Sequence, residues 1–381
     1  MMEKIRLGDI AATITKGTTP TTIGFPFVDT GINFVKIESI DEAGNFLPDR
    51  FAHITDECNR KLGRSKLEEN DILFSIAGAI GRTAIVPKSI LPANTNQALA
   101  IIRIPSEAIN LQFVLYALQS QAVAEQSEKQ KQGVAQLNLS LKNIADIQIP
   151  FVSSEKQAEI VRILAALDVA IGQRKEQIKF IDQLVKSRFI ELFGDPIMNQ
   201  RGWRAMALED NATLLNGRAY KQDELLDSGK YPVLRVGNFF SNRGWYYSNL
   251  ELSEDKYCDN GDLLYAWSAS FGPQIWNGGK AIYHYHIWKV LVGKAYNKQF
   301  LCNLLEYTTE SLMNDTHGIA MMHLTKSGME KNKFIVPPME LQEQFAAFVE
   351  QTDKSKYYKS IQILKIITEA IAKEVSHDRI R

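Results

Sequence analysis

Two long stretches of the chain carry apolar residues at helical spacing without an internal proline. The first runs from about Ser154 to Phe193, and its only glycine is Gly172. We expect Ser154 and Gln157 to form a capping box at its start, and the Gly-Asp-Pro that follows Phe193 to end it. Its apolar positions recur at heptad spacing, which is typical of a helix that packs along a partner helix. This apolar seam consists of Ile160, Leu164, Leu167, Ile171, Ile178, Ile181 and Val185.

The second stretch begins after Pro337-Pro338, where a proline at the first helical position is compatible with a helix. Its apolar residues at heptad spacing are Tyr357, Ile361, Leu364, Ile371 and Val375. We predict that the two helices pair as an antiparallel coiled coil. The alternative is that each helix packs into its own globular domain. Their length favours pairing, because helices of globular proteins average about 11–12 residues.

The regions that precede the two helices contain short apolar runs bounded by Gly, Asn, Asp and Pro, which predict strands. The predicted strands are Phe34–Ile37, Ile72–Ile76, Ala98–Ile104, Val233–Val236, Leu263–Trp267 and Ile287–Val292. Short helices are predicted at Leu111–Gln119 and Gln299–Thr308. Strands and helices do not alternate regularly, so the pattern predicts an α+β fold.

The chain also contains an internal repeat. Segments that begin at Gly133 and Gly318 resemble each other, and Pro150 and Pro337 follow them at an offset of 187 residues. Gln157 and Gln344 have the same offset. Further matches occur in the same order upstream, so we predict two similar domains related by a pseudo-twofold repeat. We place the first domain at residues 1–152, the first long helix at 153–195, the second domain at 196–338 and the second long helix at 339–381.

Composition limits the class of protein. A chain of 381 residues with 45% apolar residues has room for two or three domains with proper cores. Its 44 basic and 44 acidic residues balance, which excludes a uniformly basic surface but leaves room for local basic faces. Cys58, Cys258 and Cys302 match no ligand spacing, so we expect buried thiols in a reducing compartment. No signal pattern or bilayer-length apolar run is evident, so we expect a soluble, cytoplasmic protein.

Two short motifs could suggest chemistry. Residues 283–286 (Tyr-His-Tyr-His) place two histidines on one face of a predicted strand, but no third metal ligand is evident, so two polar strand residues are favoured. Residues 254–256 (Glu-Asp-Lys) resemble an acidic-x-Lys nuclease element, but a solvated turn is favoured because no second carboxylate is placed upstream. The sequence has no phosphate-binding glycine loop, methyltransferase motif or nucleophile arrangement. We therefore predict no active site, metal or cofactor in this chain.

Several stretches resemble the DNA-specificity subunit of type I restriction–modification systems. They are LGDIAATITKGTTP (residues 7–20), ENDILFSIAGAIG (69–81), NTNQALAIIRIP (94–105), GVAQLNLSLKNIADIQIP (133–150), SEKQAEIVRIL (154–164) and FIELFGDPIMNQRGW (189–203). The resemblance covers essentially the whole chain. It implies two target-recognition domains separated by two long helices in an antiparallel coiled coil. Each domain would read one half of a split, asymmetric DNA sequence, while the helices fix the unread spacer and dock methyltransferase subunits.

Candidate DNA contacts follow from the chemistry of the duplex. Base edges are read by forked donors and amides, and phosphates are bound by Lys, Arg, hydroxyl and backbone N–H groups. In the first domain the candidates are Lys16, Thr18, Thr19, Thr21, Lys36, Arg60, Arg64, Asn96, Gln97, Gly133 and Gln136. In the second domain they are Arg218, Tyr220, Lys221, Arg235, Asn238, Arg243, Trp267, Ser268, His286 and His323. The alternative for each is a solvated surface residue. The loops after Gly17 and Gly217 differ in sequence, which predicts a non-palindromic target.

The resemblance thus implies a non-catalytic subunit that binds double-stranded DNA and directs methylation and cleavage by its partners. Those partners would be methyltransferase subunits, two in number, and translocase-nuclease subunits, which would bring S-adenosylmethionine, ATP and Mg²⁺. One alternative is an interaction adaptor whose paired helices bridge other proteins, and another is a stand-alone modifying enzyme. Salt-dependent, sequence-selective DNA binding by the reconstituted complex distinguishes a specificity subunit from an adaptor. Methyl transfer by the isolated chain would support the enzyme.

Overall fold

A computed structural model describes residues 3–105, 109–130, 138–241, 244–314 and 324–355. The chain divides into two compact units, Met1–Val169 and Ala170–Arg381. Both units combine short helices with small sheets, which confirms the predicted α+β class. Of the described helices, none is long and apolar enough to cross a bilayer.

The strands of the first unit are β1 (Lys4–Arg6), β2 (Thr13–Lys16), β3 (Ile32–Val35), β4 (Ala52–Ile54), β5 (Ile72–Ser75), β6 (Thr83–Ile85), β7 (Ala93–Thr95), β8 (Leu99–Arg103) and β9 (Gln148–Pro150). Its helices are α1 (Leu7–Ile10), α2 (Asp56–Lys61), α3 (Leu111–Leu118), α4 (Gln121–Gln130) and α5 (Leu141–Ala145), followed by α6 (Ser154–Phe193), which continues into the second unit. Short 3₁₀ turns lie at Pro20–Ile23, Ile37–Ser39, Pro48–Arg50, Gly63–Ser65 and Lys88–Ile90.

The strands of the second unit are β10 (Ala205–Ala207), β11 (Ala212–Asn216), β12 (Tyr231–Leu234), β13 (Tyr246–Ser248), β14 (Tyr257–Cys258), β15 (Leu263–Ser268), β16 (Ser270–Ile275), β17 (Ala281–Tyr283), β18 (Ile287–Val292) and β19 (Lys333–Ile335). Its other helices are α7 (Val236–Ser241), α8 (Lys298–Asn314) and α9 (Lys326–Lys331), and residues 339–355 are helical. Its 3₁₀ turns lie at Leu208–Asp210, Gln222–Glu224 and Glu254–Lys256.

The two units share one sheet topology, which confirms the predicted repeat. The four-stranded sheet has the order β2-β8-β5-β6 in the first unit and β11-β18-β15-β16 in the second. A second sheet is built on a parallel pair, β3 with β7 and β12 with β17. A two-stranded ribbon joins the first and last strands of each domain, β1 with β9 and β10 with β19. The second unit adds β14 to its sheet.

The hydrogen bonds correct the predicted register of the repeat near the long helices. Ser140 and Thr325 occupy equivalent positions, because each caps a short helix through a backbone N–H at 3.1 Å. They lie 185 residues apart, which is also the offset of Gly133 and Gly318. The Ile-Pro and Val-Pro pairs resemble each other in sequence but stand two positions apart in the fold. Gln157 therefore corresponds to Gln342, whereas the predicted counterpart Gln344 is exposed.

A buried glutamine links each long helix to its unit. The Gln157 side chain accepts a hydrogen bond from the Asn110 backbone N–H at 3.0 Å and donates to the Val152 carbonyl at 2.9 Å. The Gln342 side chain accepts from the Asn297 backbone N–H at 2.8 Å and donates to two backbone carbonyls at 2.8 and 3.0 Å. These bonds satisfy backbone groups that would otherwise be buried without partners. Gln157 thus has a different role from the predicted capping box.

The cap of α6 is also one residue earlier than predicted. The Ser153 hydroxyl, not that of Ser154, accepts from the Lys156 backbone N–H, at 3.4 Å. The helix itself spans the predicted residues without interruption.

The apolar seam of α6 packs on a domain core at each of its two ends. Ile160 packs against the first core, and Val185 is buried in the second core beside Phe189 and Phe193. The seam positions between them, Leu164, Leu167, Ile171, Ile178 and Ile181, are half-buried. The predicted partner positions Tyr357, Ile361, Leu364, Ile371 and Val375 lie outside the described residues. Pairing of the two helices therefore stays a prediction.

The six apolar strands and two short helices predicted for the two domains are present, with two local differences at their ends. Val236 begins α7 instead of ending a strand, because the Asn238 side chain accepts from the Arg235 backbone N–H at 2.6 Å and turns the chain. Ile37 lies in a 3₁₀ turn that is closed by Ser39, whose hydroxyl accepts from the Lys36 backbone N–H at 3.2 Å. The three cysteines are buried and unpaired, as predicted.

Candidate nucleic-acid interface

Two loops begin at glycines that lie against the end of a neighbouring strand. A Cβ added to Gly17 would lie 1.8 Å from the carbonyl oxygen of Thr95, the last residue of β7. A Cβ added to Gly217 would lie 2.3 Å from the carbonyl oxygen of Tyr283, the last residue of β17. No side chain fits at either position. Glycine therefore allows both loops to cross the strand end and to place their polar residues beside the turn that follows it.

The turns that follow β7 and β17 are equivalent. In the first, the Leu99 N–H donates to the Asn96 carbonyl at 3.4 Å, and in the second the Ile287 N–H donates to the His284 carbonyl at 3.0 Å. We call residues 96–98 turn 1 and residues 284–286 turn 2.

The central strand of each unit confirms this correspondence. The Ile76 N–H donates to the Ala98 carbonyl at 2.9 Å, and the Trp267 N–H donates to the His286 carbonyl at 3.0 Å. Asn96, Gln97 and Ala98 of turn 1 thus correspond to His284, Tyr285 and His286 of turn 2. Ile76 corresponds to Trp267.

Turn 1 carries amides and lies beside hydroxyl groups. The Thr19 hydroxyl donates to the Gln97 side-chain oxygen, so the loop after Gly17 contacts the exposed Gln97 directly. The Asn96 side chain accepts from the Ala98 backbone N–H at 3.1 Å. The structure therefore brings Thr19, Asn96 and Gln97 together, and their donors and acceptors suit base edges.

The remaining candidates of the first unit are distributed around these residues. Lys16 ends β2, Thr18 is half-buried and Thr21 is exposed. The Lys36 ammonium lies 4.8 Å from the centre of the Phe27 ring and 3.6 Å from a Glu38 carboxylate oxygen.

Arg60 and Arg64 lie on a separate segment, formed by α2 and the following 3₁₀ turn, and both are exposed. This segment packs on β7 through the buried Asn94. The Asn94 side chain donates to Asn59 at 2.9 Å and accepts from Ser65 at 2.7 Å.

Turn 2 is aromatic. The predicted strand across residues 283–286 is wrong, because β17 ends at Tyr283 and the next three residues form the turn. The rings of Tyr285 and His286 lie 4.0 Å apart, and those of His284 and His286 lie 4.7 Å apart. Trp267 adds an edge-to-face contact with His286 at 5.1 Å. Among the described residues, no group of three metal-ligating side chains occurs.

His284 is held neutral. Burial lowers its pKa to about 4, and the nearby His286 and Arg235 act in the same direction. A cationic imidazole is disfavoured where it is desolvated and close to other positive groups. At neutral pH His284 therefore contributes a ring and hydrogen-bonding nitrogens rather than a charge.

The loop after Gly217 lies against turn 2. The Arg218 N–H donates to the Tyr283 carbonyl at 3.0 Å, and the Tyr220 ring stacks on His284 with ring centres 6.4 Å apart. The Arg218 guanidinium binds both oxygens of Glu224, at 2.7 and 3.1 Å. Lys221 is exposed.

Other candidates of the second unit differ in accessibility. Arg235 is exposed, and its guanidinium carbon lies 5.3 Å from the centre of the Tyr246 ring. Asn238 and Ser268 are buried. Asn238 uses its side chain on the backbone of Val233 and Arg235, so in this conformation it does not reach solvent. Gly133, Gln136, Arg243 and His323 lie outside the described residues.

A cavity of about 440 Å³ opens beside turn 2. It is lined by Asn216, Trp267, Tyr285, His286, Trp288, Leu324, Thr325 and Lys326. Sequence reasoning identified Trp267 and His286 here but missed Tyr285, which lies at the tip of the turn and is 39% exposed. The break between the apolar runs before Tyr283 and after His286 was the signal that a turn, not a strand, occupies these residues.

The type I restriction modification DNA specificity domain matches this chain over residues 1–180 and again over residues 200–368. The chain belongs to this DNA specificity family. Each matched segment contains one copy of the fold described above.

Individual relatives agree with this assignment. The type I restriction enzyme EcoBI specificity subunit of Escherichia coli is 32% identical over 196 residues, which span 49% of this chain and 39% of that subunit. The type I restriction enzyme MjaIX specificity subunit of Methanocaldococcus jannaschii is 21% identical over 363 residues, 86% of this chain and 82% of that one.

The fold occurs in a solved member of the family. The crystal structure of a type I restriction-modification S subunit from M. genitalium covers 98% of this chain and 94% of its own, with a TM-score of 0.51 and 14% identity. At that identity the likeness concerns the fold alone. The likeness does not extend to the side chains of turns 1 and 2.

Proposed function

We propose that this protein reads a two-part, asymmetric DNA target, one half with each unit, and directs partner subunits to it. The proposed contacts are the loops after Gly17 and Gly217 together with turns 1 and 2. The other exposed or half-buried candidates that carry an ammonium, guanidinium or hydroxyl group would bind the adjacent phosphates.

One observation carries this proposal. Two copies of one scaffold present equivalent turns, and the side chains on them differ completely, with Asn96 and Gln97 in one copy and His284 and Tyr285 in the other. A repeated scaffold with different side chains at one surface suits the recognition of two different ligands of the same kind. Two unlike half-sites of one duplex are such ligands.

The chemistry of modification belongs, in this proposal, to other chains. Two methyltransferase subunits would bring S-adenosylmethionine, and translocase-nuclease subunits would bring ATP and Mg²⁺. The complex would act on cytoplasmic DNA. The uninterrupted helix α6 between the two domains supports the further proposal that the long helices set the unread spacer.

Exchange of the first domain tests the proposal. The gene is expressed with its partner subunits in a host without other methylation, and the methylated motif is mapped by single-molecule sequencing. Replacing residues 1–152 with the first domain of a family member of known target should change one half of the motif and leave the other half unchanged. A change in both halves would contradict independent reading.

A second experiment tests the role of the long helices. An insertion of a few residues after Gly172 should lengthen the unread spacer, and a spacer that stays unchanged would contradict this role.

The adaptor alternative makes a different prediction. An adaptor would retain its partners but would show no sequence-selective, salt-dependent binding to DNA. Mapping of the methylated motif distinguishes an adaptor from a specificity subunit. If the protein is an adaptor, deletion of its gene should leave the methylated motif unaltered.

A further inference from the structure

The cavity beside turn 2 has walls of a different chemical kind from the surface at turn 1. Its aromatic walls are Trp267, Tyr285, His286 and Trp288. At the equivalent positions of the first unit, Ile76 and Ala98 replace Trp267 and His286, and the exposed Gln97 replaces Tyr285. Turn 1 presents hydrogen-bonding groups, whereas turn 2 presents rings.

These rings are held in place by their own contacts. The Trp267 indole N–H donates to the Tyr285 carbonyl at 2.9 Å, so this donor is used within the protein. The same indole stacks on Trp288 with ring centres 5.6 Å apart and planes 17° from parallel. Trp288 in turn stacks on Tyr265 at 6.0 Å. A preformed stack of this kind offers carbon surface to a ligand without a large loss of side-chain entropy.

The charge of the cavity suits a polyanion. Among the described residues that line it, none is acidic, and Lys326 lies at its rim. The Lys326 side chain is 40% exposed, with its ammonium 3.5 Å from a Glu330 carboxylate oxygen. The Glu330 side chain is 23% exposed, and a partly exposed ion pair of this length contributes little to stability, so the ammonium is available to a phosphate.

We propose that this aromatic cavity receives the 5-methyl edge of a thymine in the half-site that the second domain reads. This inference rests on the proposed function and specifies how one half of the target is recognised. The thymine methyl is the apolar group that the four bases display in the major groove, and it is bound by apolar side chains rather than by donors or acceptors. A cavity of about 440 Å³ has room for the edge of a base together with its methyl.

The test replaces single methyl groups in the DNA. The full chain with its methyltransferase partners binds duplexes in which each thymine of the mapped target is replaced in turn by uracil, and the Kd is measured by fluorescence anisotropy at fixed salt. One replacement in the second half-site should weaken binding about fourfold, the expected effect of losing one buried methyl. Replacements in the first half-site should leave the Kd unchanged.

Protein variants connect the methyl group to the cavity. In Tyr285→Ala the uracil and thymine duplexes should bind equally, whereas Tyr285→Phe should retain the difference because it keeps the ring. Leu291→Ala is the matched control. It removes another exposed apolar side chain, 45% exposed on β18, the strand that follows turn 2, and should preserve the fourfold difference.

Three results would overturn the inference: a second half-site without an A·T pair, equal Kd values for uracil and thymine at every position of that half, or a methyl effect that survives in Tyr285→Ala. A failure of the proposed function is recognised separately. In that case the complex would not distinguish its target duplex from an unrelated one before any thymine is replaced.

Discussion

The two units have equivalent backbone turns that carry different side chains. Turn 1 consists of Asn96, Gln97 and Ala98, and Gln97 is hydrogen-bonded to Thr19 of the neighbouring loop. Turn 2 follows an equivalent strand and makes equivalent backbone hydrogen bonds, but it carries two histidines and a tyrosine against Trp267. The scaffold is therefore conserved within the molecule while the chemistry at its tip is not.

This difference separates what the fold requires from what a ligand requires. Gly17 and Gly217, and Gln157 and Gln342, recur in both units because the backbone at those points admits few alternatives. The turn residues do not recur, because the backbone does not depend on their side chains. Positions shared by the units should thus affect stability, and positions that differ should affect recognition.

The largest effect is expected where the units are most alike. Gly17→Ala and Gly217→Ala should each lower the free energy of unfolding by about 3 kcal/mol, because the new Cβ would overlap a backbone carbonyl that cannot move independently. Gly17→Ala should be the more damaging, since its Cβ would lie 1.8 Å from the carbonyl oxygen, compared with 2.3 Å for Gly217→Ala. Urea denaturation monitored by circular dichroism measures both.

The matched controls are Gly63→Ala and Gly237→Ala. A Cβ at either position would meet nothing within 4 Å, and neither backbone has a positive φ. Both variants should be as stable as the natural chain or slightly more stable. Equal destabilisation by the controls would show that close approach is not the reason for glycine at the crossing points.

The glutamine pair should give the next largest effect. Gln157→Ala and Gln342→Ala should each cost about 2 kcal/mol, because each leaves buried backbone groups without a partner. Gln342→Ala should cost more, as its side chain makes three hydrogen bonds and that of Gln157 makes two. Gln344→Ala, at an exposed position two residues away, is the control. If it were as damaging as Gln342→Ala, the corrected register of the repeat would be wrong.

The smallest effect concerns the pH dependence that distinguishes the turns. The pKa of His284 is lowered to about 4, below its usual value of 6.5, so the folded state favours the neutral ring. The stability from this preference is present above pH 6.5 and is lost as the pH falls towards 4, because the unfolded chain then binds the proton more readily. Between pH 7 and pH 5 we expect this loss to be on the order of 1 kcal/mol.

Replacement by the turn 1 residue tests this assignment. His284→Asn places the equivalent of Asn96 in turn 2 and removes the titrating ring. The difference in unfolding free energy between pH 7 and pH 5 should be smaller in this variant than in the natural chain. An unchanged difference would mean that other groups cause the acid sensitivity.

The sequence predicted the helices and strands of this fold better than the register between the two copies of the repeat. Apolar runs identified the central strands, and the absence of proline identified α6. The repeat was evident, but the Ile-Pro and Val-Pro resemblance paired Gln157 with Gln344. The caps formed by Ser140 and Thr325 and the hydrogen bonds of Gln157 and Gln342 show that the 185-residue offset continues into the long helices. Sequence similarity alone could not show that Gln342, and not Gln344, is buried.

The candidate site was predicted in part, for a related reason. Thr19, Asn96 and Gln97 were selected for their chemistry, and the fold brings them together. Asn238 was selected on the same ground, yet its side chain is hydrogen-bonded to the backbone of Val233 and Arg235. Tyr285 was missed because the Tyr-His-Tyr-His run was interpreted as a strand. In a strand Tyr285 would lie on the face opposite the two histidines, whereas in the turn it lies at the exposed tip.

The central claim is that turns 1 and 2 are interchangeable in backbone and differ in what they recognise. The most direct test is a graft of turn 1 into the second unit, with His284→Asn, Tyr285→Gln and His286→Ala combined, followed by mapping of the methylated motif in cells. We predict that the second half of the motif changes while the first half and the spacer remain, which also shows that the variant folds and assembles. A motif that is unchanged, or one that changes in both halves, would contradict the claim.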